Sequence, residues 1–350
     1  MTNAIETIES AAPEPLTPTA QESAARVLLL GGVGAPFDLP PQMDSALLVY
    51  CAAHDLRISA LHKNDSSAAV WMAQNGIDIV SLAAMAGGQP EEIAVPLSGA
   101  ALLGAGRTEA LANAPVVRCV NDVRIGLLAY SERRTGGFDG RADILGLAVY
   151  DRVRMLLSQC DHVIVLVRTG LDDGELPLPE WRARYRRLID AGASAVVDTG
   201  AAKGWEAYKH GLIFYGLGDP MQGASLALSL TLLQNGRLRY EALALDCVDG
   251  EVVFSADEAQ KQRINEQNDL YMNQAAYIRA VDRMCLRSYE KQEQPHKRGI
   301  LETLLNANGA AARREEETRL LDLLGDESRR LTILRALALK QGAEGHGGES

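Results

Sequence analysis

The 350-residue sequence predicts an α/β fold followed by a helical C-terminal extension. Three observations support this prediction. Short apolar runs, such as those that end at Gly31 and Arg168, alternate with stretches whose apolar residues have helical spacing. Asn235-Gly236 lies between two β-rich runs, which indicates a hairpin. After Ser255 the strands give way to long stretches of helical periodicity with charged faces.

The elements follow one another in a regular order. Strands are predicted at "RVLLLGGVG" and "IDIVSLAAMAGG", and helices at "MDSALLVYCAAHD", "AAVWMAQNG" and "LAVYDRVRMLLSQC". Residues 161–200 are predicted to form a buried strand, a polar loop, a helix and a second buried strand. "WEAYKHGLIFYGLGDPM" is predicted to contain one strand that ends at Gly218-Asp219.

Composition changes divide the chain into four parts. Residues 1–25 are rich in Pro, Ala, Glu and Thr, and we expect them to form a disordered tail. Residues 26–255 form the α/β domain, and residues 256–340 form helices that we expect to pack on the core. Residues 341–350 are expected to be a flexible tail.

The overall charge and composition exclude several classes of protein. The formal net charge is −11, which argues against nucleic acid as the main partner, because contacts with phosphates need a basic surface. No apolar run has the roughly 18 residues needed to span a bilayer. The acidic start lacks the features of a secretory signal, and the five scattered cysteines form no C-x-x-C pair. These features predict a cytoplasmic protein with reduced thiols.

Small polar residues follow the two buried strands of residues 161–200. They are Arg168-Thr169-Gly170 and Asp198-Thr199-Gly200. In α/β sheets, ligands bind at the carboxyl ends of the strands, so these residues are candidates for chemistry.

Metal and phosphate motifs are weak in this sequence. The six histidines show no zinc-binding spacing, and the glycine clusters at 31–34 and 104–106 are more typical of tight turns than of phosphate loops. Carboxylates that can bind a hard cation are present, although acidic loops are more often simply solvated: Asp172, Asp173, Glu175, Asp198 and Asp219. The basic run 182–187 on a helix is interpreted as a charged surface, with an acidic ligand as the alternative.

Four segments occur in a characteristic order: "LLGAGRTEALANAPVV", "DHVIVLVRTG", "RLIDAGASAVV" and "YKHGLIFYGLGDPM". Taken together, they resemble the bacterial capsule synthesis family known as CapA or PGA-cap, named for poly-γ-glutamate capsule production. The resemblance implies a layered sandwich like that of the metallo-dependent phosphatases, in which two β-sheets are flanked by helices. "IDIVSLAAMAGG" and a C-terminal helix at "LLDLLGDESRRLTILRALAL" also resemble segments of the family.

The chain departs from the family at the positions of the family's metal ligands. The family has Gly-Asp after its first strand, then Ala-Asn-Asn-His, His-Trp-Gly, Gly-His-x-Pro-His and Ser-Leu-Gly-Asn. The corresponding residues here are Gly31-Gly32-Val33-Gly34, Ala83-Ala84-Met85-Ala86, Arg168-Thr169-Gly170, the segment from Asp198 to Lys203, and Asp219. A dinuclear site needs several such ligands at once, so we expect no metal and no cofactor.

The resemblance and the departures together predict a metal-free, non-catalytic CapA-like protein, that is, a pseudoenzyme. It would bind an anionic polymer, a peptide or a small anionic ligand, or assist a biosynthetic protein partner. Arg168 and Lys203 are the best candidates for charge-assisted contacts, with Thr169 and Thr199 beside them. Asp198 and Asp219 would hold the arginine as ion-pair partners.

Two alternatives remain open. The first is a cytoplasmic enzyme with rebuilt acid/base chemistry, a hydrolase or epimerase that acts on a peptide or polymer. Its candidate catalytic residues are Asp198 and Asp219, with Arg168 and Lys203 in the same site. The second is a structural assembly subunit that uses the apolar faces of the C-terminal helices.

Overall fold

Two β-sheets form the centre of the chain. A computed structural model describes residues 6–7, 23–33, 42–62, 66–85, 97–132, 140–171, 174–222, 224–305 and 325–346. The strands are β1 Glu6–Thr7, β2 Ala24–Val33, β3 Gln42–Met43, β4 Leu56–Leu61, β5 Ile79–Ser81, β6 Ala101–Leu103, β7 Val116–Val120, β8 Val123–Ser131, β9 His162–Arg168, β10 Ala195–Asp198, β11 Trp205–Tyr208, β12 Gly211–Phe214, β13 Ser225–Leu233, β14 Leu238–Val248 and β15 Glu251–Phe254. The helices are α1 Ser45–Ala52, α2 Ser66–Gln74, α3 Glu109–Ala112, α4 Ala148–Leu157, α5 Pro179–Asp190, α6 Glu258–Met272, α7 Gln274–Leu305 and α8 Glu327–His346.

The first sheet contains nine strands in the order β3-β15-β14-β13-β2-β4-β5-β6, with β1 paired to β14. Strands β2, β4, β5 and β6 are parallel, so their carboxyl ends lie at one edge of the sheet. Strands β13 and β14 form the hairpin that Asn235-Gly236 predicts, and Gly236 has a φ of +80° in its turn. The hairpin prediction is confirmed.

The second sheet contains six strands in the order β11-β12-β10-β9-β8-β7. The four central strands β8, β9, β10 and β12 are parallel, and each edge strand is antiparallel to its neighbour. Residues 162–168 are almost all buried, as expected for a parallel strand covered on both faces. The carboxyl ends of these four strands therefore also meet at one edge.

The sheets pack face to face, and helices cover their outer faces. A central apolar cluster takes side chains from both sheets, including Leu29 of β2, Leu166 of β9 and Val197 of β10. A second cluster holds α1 and α2 against the first sheet. A third holds α4 and α5 against the second sheet. The predicted fold class, a layered sandwich of two sheets flanked by helices with a helical C-terminal part, is confirmed.

The C-terminal helices contribute side chains to the outer cluster of the second sheet. Tyr277, Val281 and Cys285 of α7 and Ala336 of α8 are fully buried there. None of the described helices has the length and apolar character needed to cross a bilayer.

Some elements differ from the sequence prediction. The predicted single strand before Gly218 is a hairpin of β11 and β12, because Lys209 adopts a left-handed φ of +52° and reverses the chain. Within the predicted tail 1–25, Glu6–Thr7 pairs with β14, and β2 begins at Ala24. Gly34, Ala86, Asp172, Asp173 and the end of the predicted tail 341–350 lie outside the described residues.

Candidate functional site

The carboxyl ends of the two sheets meet at a junction that we call the strand-end site, formed by Gly31-Gly32, His62, Arg168-Thr169, Asp198–Gly200 and Lys203. The Gly32 amide donates to the Thr199 carbonyl oxygen at 3.3 Å, which joins the end of β2 to the end of β10. The Leu217 amide donates to the Asp198 carbonyl oxygen at 3.1 Å. Because β9 and β10 pair in parallel, residues 168–170 and 198–200 lie at the same edge of the second sheet.

Asp198 is the buried centre of this site, with 2% of its surface exposed. Its Oδ1 accepts from the Gly200 amide at 2.8 Å, and its Oδ2 accepts from the Tyr185 hydroxyl at 2.6 Å. Oδ2 also accepts from the Thr169 hydroxyl at 3.1 Å and the Thr169 amide at 3.3 Å. Burial raises the pKa of Asp198 above its ordinary value, although Lys203 and Arg168 oppose that rise.

Thr169 helps to hold the Asp198 carboxylate in place. It is 3% exposed, and its hydroxyl contacts both Asp198 and the Tyr185 hydroxyl. Burial and the neighbouring Asp198 charge raise the pKa of Tyr185 well above its ordinary value, so Tyr185 remains protonated and donates. Tyr185 connects helix α5 to the site.

Arg168 is half-buried and lies near Asp198. A Cβ atom placed on Gly200 would lie 2.6 Å from Arg168 Nη1 and 3.1 Å from Asp198 Oδ1. The guanidinium and the carboxylate therefore flank Gly200, and a side chain at position 200 would separate them. Because glycine has no side chain, the Arg168 guanidinium and the Asp198 carboxylate can both lie close to position 200.

Lys203 and Asp219 have surroundings that the sequence did not reveal. Lys203 is 2% exposed, and its Nζ donates to the Leu171 carbonyl oxygen at 3.0 Å, below the loop that follows Arg168. Asp219 is half-buried, and its carboxylate accepts from the Met221 amide at 2.9 Å and from Gln222 Nε2 at 2.7 Å, within its own turn. The Gly218 amide donates to the Gly200 carbonyl at 2.7 Å, so this turn adjoins the strand-end site.

Two residues at this edge were missed by the sequence analysis. His62 follows β4, and its Nε2 lies 3.3 Å from the Thr199 hydroxyl, which itself donates to the Val167 carbonyl. Glu132 follows β8 and accepts from the Gly170 amide at 3.2 Å. Their positions after parallel strands were the available signal, but the sequence does not show which strands are neighbours.

Glu132 connects the strand-end site to the C-terminal helix. Its Oε2 accepts from the Ser328 hydroxyl at 2.6 Å, and its Oε1 accepts from the Ser328 amide. Trp181 Nε1 donates to the same hydroxyl at 2.7 Å. Burial and the nearby Asp326 raise the pKa of Glu132 to about 7, although the hydrogen bonds from Ser328 oppose that rise.

The described donor set does not fit a dinuclear metal centre of the kind that the resemblance implies. A Cβ atom on Gly31 would lie 1.8 Å from the Gly218 carbonyl oxygen, so position 31 has no room for a ligand side chain. A Cβ atom on Gly32 would lie 1.8 Å from His62 Nε2, so a side chain there would require the His62 ring to move. Both Asp198 oxygens already accept hydrogen bonds. Within the described ranges, no three His, Cys, Asp or Glu side chains are grouped as metal ligands.

Other predicted features lie elsewhere. Glu175 is exposed and pairs with Arg287 at 2.9 Å, away from Asp198. The interpretation of residues 182–187 as a charged surface is wrong for Arg182, which is 3% exposed and bound to the buried Glu206 at 2.6 Å. A cavity of about 280 Å³ lies beside Arg182 and Arg186.

Comparisons of the whole chain with known proteins give distant matches. No curated protein matches the chain at a significant level. Among solved structures, the chain is similar to a novel phosphatase from Mycoplasma pneumoniae, with 10% identity and a TM-score of 0.46 over 69% of this chain and 98% of that chain. It is also similar to a hypothetical protein from Thermus thermophilus, with 15% identity and a TM-score of 0.44 over 63% of this chain and 99% of that chain. A third similar structure is the sulfate thiohydrolase SoxB of Thermus thermophilus in complex with glycerol, with 12% identity and a TM-score of 0.44 over 75% of this chain and 62% of that chain.

The family-model comparison covers the part of the chain that holds Arg168, Asp198 and Lys203. Residues 97–223 match the family described as bacterial capsule synthesis protein PGA_cap. Gly31-Gly32 and His62 lie before the matched residues. The match confirms the predicted resemblance to the PGA_cap family over residues 97–223.

Proposed function

We propose that this protein is a CapA-like accessory protein that binds an anionic group of a polymer or peptide at the strand-end site, without a metal. The match of residues 97–223 supports the link to bacterial capsule synthesis. The observation that carries the proposal is the environment of Asp198, whose carboxylate accepts four hydrogen bonds next to two cationic side chains.

The carboxylate of Asp198 is fully engaged by the protein. A carboxylate that binds a metal or moves a proton to a substrate needs an accessible oxygen, and each oxygen of Asp198 is buried and accepts from protein donors. Arg168 and Lys203 add two positive charges at this point. Fixed positive charges repel divalent cations in a site of low dielectric constant. Asp198 therefore acts as the internal counter-ion of the two cations.

Arg168 is the group that we assign to a ligand. Arg168 and Lys203 place two positive charges next to the single Asp198 carboxylate. Lys203 is buried, so it contributes charge rather than direct contact. Arg168 is half-buried, and its planar guanidinium can donate two parallel hydrogen bonds to a carboxylate or phosphate. Arg168 is accordingly the side chain that we assign to contact with an anion, with His62 at the rim.

The test is a titration of the purified protein with poly-γ-glutamate oligomers, in which binding is measured by isothermal calorimetry. We expect Arg168→Gln to weaken binding at least about tenfold, since a charge-assisted hydrogen bond contributes about 1.5–3 kcal/mol. Arg118→Gln, an exposed arginine on β7 of the same sheet, is the matched control and should bind as the wild type does.

Two results would overturn the proposal. One is equal affinity of the Arg168→Gln variant and the wild type for the oligomers. The other is stoichiometric uptake of manganese, iron or zinc together with phosphodiester hydrolysis, measured by elemental analysis and by release of a chromogenic product.

A further inference from the structure

The cavity of about 280 Å³ lies between α5, β11 and the start of α7. Six of the residues that line it are Arg182, Ala183, Arg186, Tyr208, Gln274 and Tyr277. Tyr185 of the same helix points to Asp198, with which it forms a hydrogen bond. The cavity is therefore distinct from the strand-end site, and its role does not depend on the proposed function.

A buried carboxylate forms the base of the charge cluster beside this cavity. Glu206 Oε2 accepts from Arg182 Nη2 at 2.6 Å and from Arg186 Nη2 at 2.8 Å. Glu206 Oε1 accepts from the Tyr215 hydroxyl at 2.5 Å, and also from the Nε atoms of both arginines. Burial alone would raise the pKa of Glu206, but hydrogen bonds from Arg186, Arg182 and Tyr215 lower it below its ordinary value. Two guanidinium groups thus face one ionised carboxylate, which leaves one excess positive charge.

Arg182 and Arg186 differ in how many of their hydrogen-bond donors the protein already uses. The Arg182 side chain is 4% exposed, and it also donates to Gln274 Oε1 at 3.0 Å and to the Tyr271 carbonyl at 2.6 Å. The Arg186 side chain is 33% exposed. Its Nε and Nη2 bind Glu206, whereas its Nη1 has no hydrogen-bond partner among the described residues. Arg186 is thus the donor that a ligand in the cavity can use.

The remaining lining favours a small ligand with a short apolar part. The Arg186 guanidinium lies 4.8 Å from the centre of the Tyr208 ring, and Tyr277 supplies a second aromatic wall. At the rim, Asp190 pairs with Lys209, so these two charges balance each other and leave the excess charge of the cluster in place. At roughly 30 Å³ per water molecule, the cavity has the volume of about nine waters, which suits a fragment of one or two amino acids.

We infer that this cavity is a second binding site, which takes a single carboxylate on a short peptide-like ligand and holds it through Arg186. The Nη1 group of Arg186 can donate a charge-assisted hydrogen bond to a carboxylate oxygen. One excess positive charge matches a monoanion, whereas a phosphate dianion would leave uncompensated negative charge in a partly buried site. The aromatic walls accommodate the aliphatic part of the ligand.

The experiment is a titration with N-acetylalanine, in which binding is measured by ligand-observed NMR. The neutral N-acetylalaninamide is the ligand control, and inorganic phosphate is the competing anion. We expect the wild type to bind N-acetylalanine with a dissociation constant in the millimolar range or below, and to bind the amide and phosphate at least about tenfold more weakly.

Four variants locate the site. Arg186→Gln removes the donor, and Ala183→Leu fills the space from an exposed helical position without touching the charge cluster. Both should weaken binding at least about tenfold, and Ala183→Leu keeps the test valid if Arg186→Gln unfolds. Arg187→Gln, the exposed neighbour on α5, and Arg168→Gln at the strand-end site should bind as the wild type does.

Any of three results would overturn the inference: equal binding of the acid and the amide, tighter binding of phosphate than of the acid, or wild-type affinity in the Ala183→Leu variant. Absence of binding to the wild type at about 10 mM would do the same, because a dissociation constant in the millimolar range would leave about half or more of the protein occupied at that concentration.

Discussion

Tyr185 and Tyr215 stack with their ring centroids 5.9 Å apart and their planes 15° from parallel, and each donates its hydroxyl to a different buried carboxylate. Tyr185 donates to Asp198 in the strand-end site, and Tyr215 donates to Glu206 beside the cavity. The strand-end site and the second site are therefore separated by one pair of aromatic rings. Burial and the adjacent carboxylate raise the pKa of each tyrosine well above its ordinary value, so both remain donors.

The Tyr185 hydroxyl should contribute to the stability of the folded protein through its hydrogen bond to Asp198. Tyr185→Phe removes a donor from Asp198 while it keeps the stack, so we expect a loss of about 1.5–3 kcal/mol in the free energy of unfolding, measured with urea. Tyr150→Phe, on α4 and only partly buried, is the control and should cost less than about 0.5 kcal/mol. Equal losses in the two variants would contradict the prediction.

Asp198 and Asp219 should differ in their effect on stability. Asp198→Ala leaves Arg168 and Lys203 without their internal counter-ion, so we expect a loss of about 3–5 kcal/mol. Asp219→Ala removes contacts within one turn, so we expect a loss of about 1 kcal/mol. Urea unfolding of both variants checks the order, and a larger loss for Asp219→Ala would show that the charge cluster is not centred on Asp198.

His162 should make the protein less stable as the pH falls. Its ring lies between the Leu233 carbonyl, 2.8 Å from Nε2, and the Ser194 hydroxyl, 3.0 Å from Nδ1, and burial lowers its pKa. Because the unfolded histidine binds a proton near its ordinary pKa of about 6.5 and the folded one does not, stability is fully present above that pH and falls below it, by at most about 1.4 kcal/mol per pH unit.

The measurement is the free energy of unfolding between pH 7.5 and pH 5.5. His162→Asn should be less stable at pH 7.5 and should show a shallower loss on acidification. His54, which burial also gives a lowered pKa, contributes a slope of the same sign that remains in the variant. The prediction fails if His162→Asn keeps the wild-type slope.

Glu132 should act in the opposite direction. Its folded pKa of about 7 lies above the unfolded value, so its contribution to stability is fully present below about pH 4.5 and is lost as the pH rises through 7. Glu132→Gln is neutral at every pH, so its stability relative to the wild type should rise by about 1–2 kcal/mol between pH 5 and pH 8, a figure reduced for partial exposure.

The measurement is urea unfolding of Glu132→Gln and the wild type at pH 5 and pH 8. A difference in stability that does not change with pH would contradict the prediction.

The sequence predicted the frame of the strand-end site but not the exposure of its side chains. Arg168 and Asp198 follow two apolar runs separated by a helix, and parallel pairing brings such strand ends together. Lys203 and Thr169 were expected to contact a ligand, but loop geometry buries them, and loop geometry is not encoded in a periodic pattern.

The residues that were missed depend on long-range pairing. His62 meets Thr199 across the two sheets, and Glu132 meets Ser328 across 196 residues, so neither contact could be predicted without the topology. Arg182 was assigned to a solvated face because its partner Glu206 lies 24 residues further along the chain. Helix periodicity indicates which face is apolar, but a buried ion pair does not follow that pattern.

The close approach of Gly31 to the Gly218 carbonyl limits how this protein can change. An aspartate at position 31 would place its Cβ 1.8 Å from a backbone oxygen, and at position 32 the His62 ring occupies the same space. A carboxylate cannot therefore be installed at position 31 by one substitution, because the obstacle is backbone. A designer who wants a metal ligand there must first reposition the 217–218 segment, whereas a ligand at position 32 requires the His62 side chain to move.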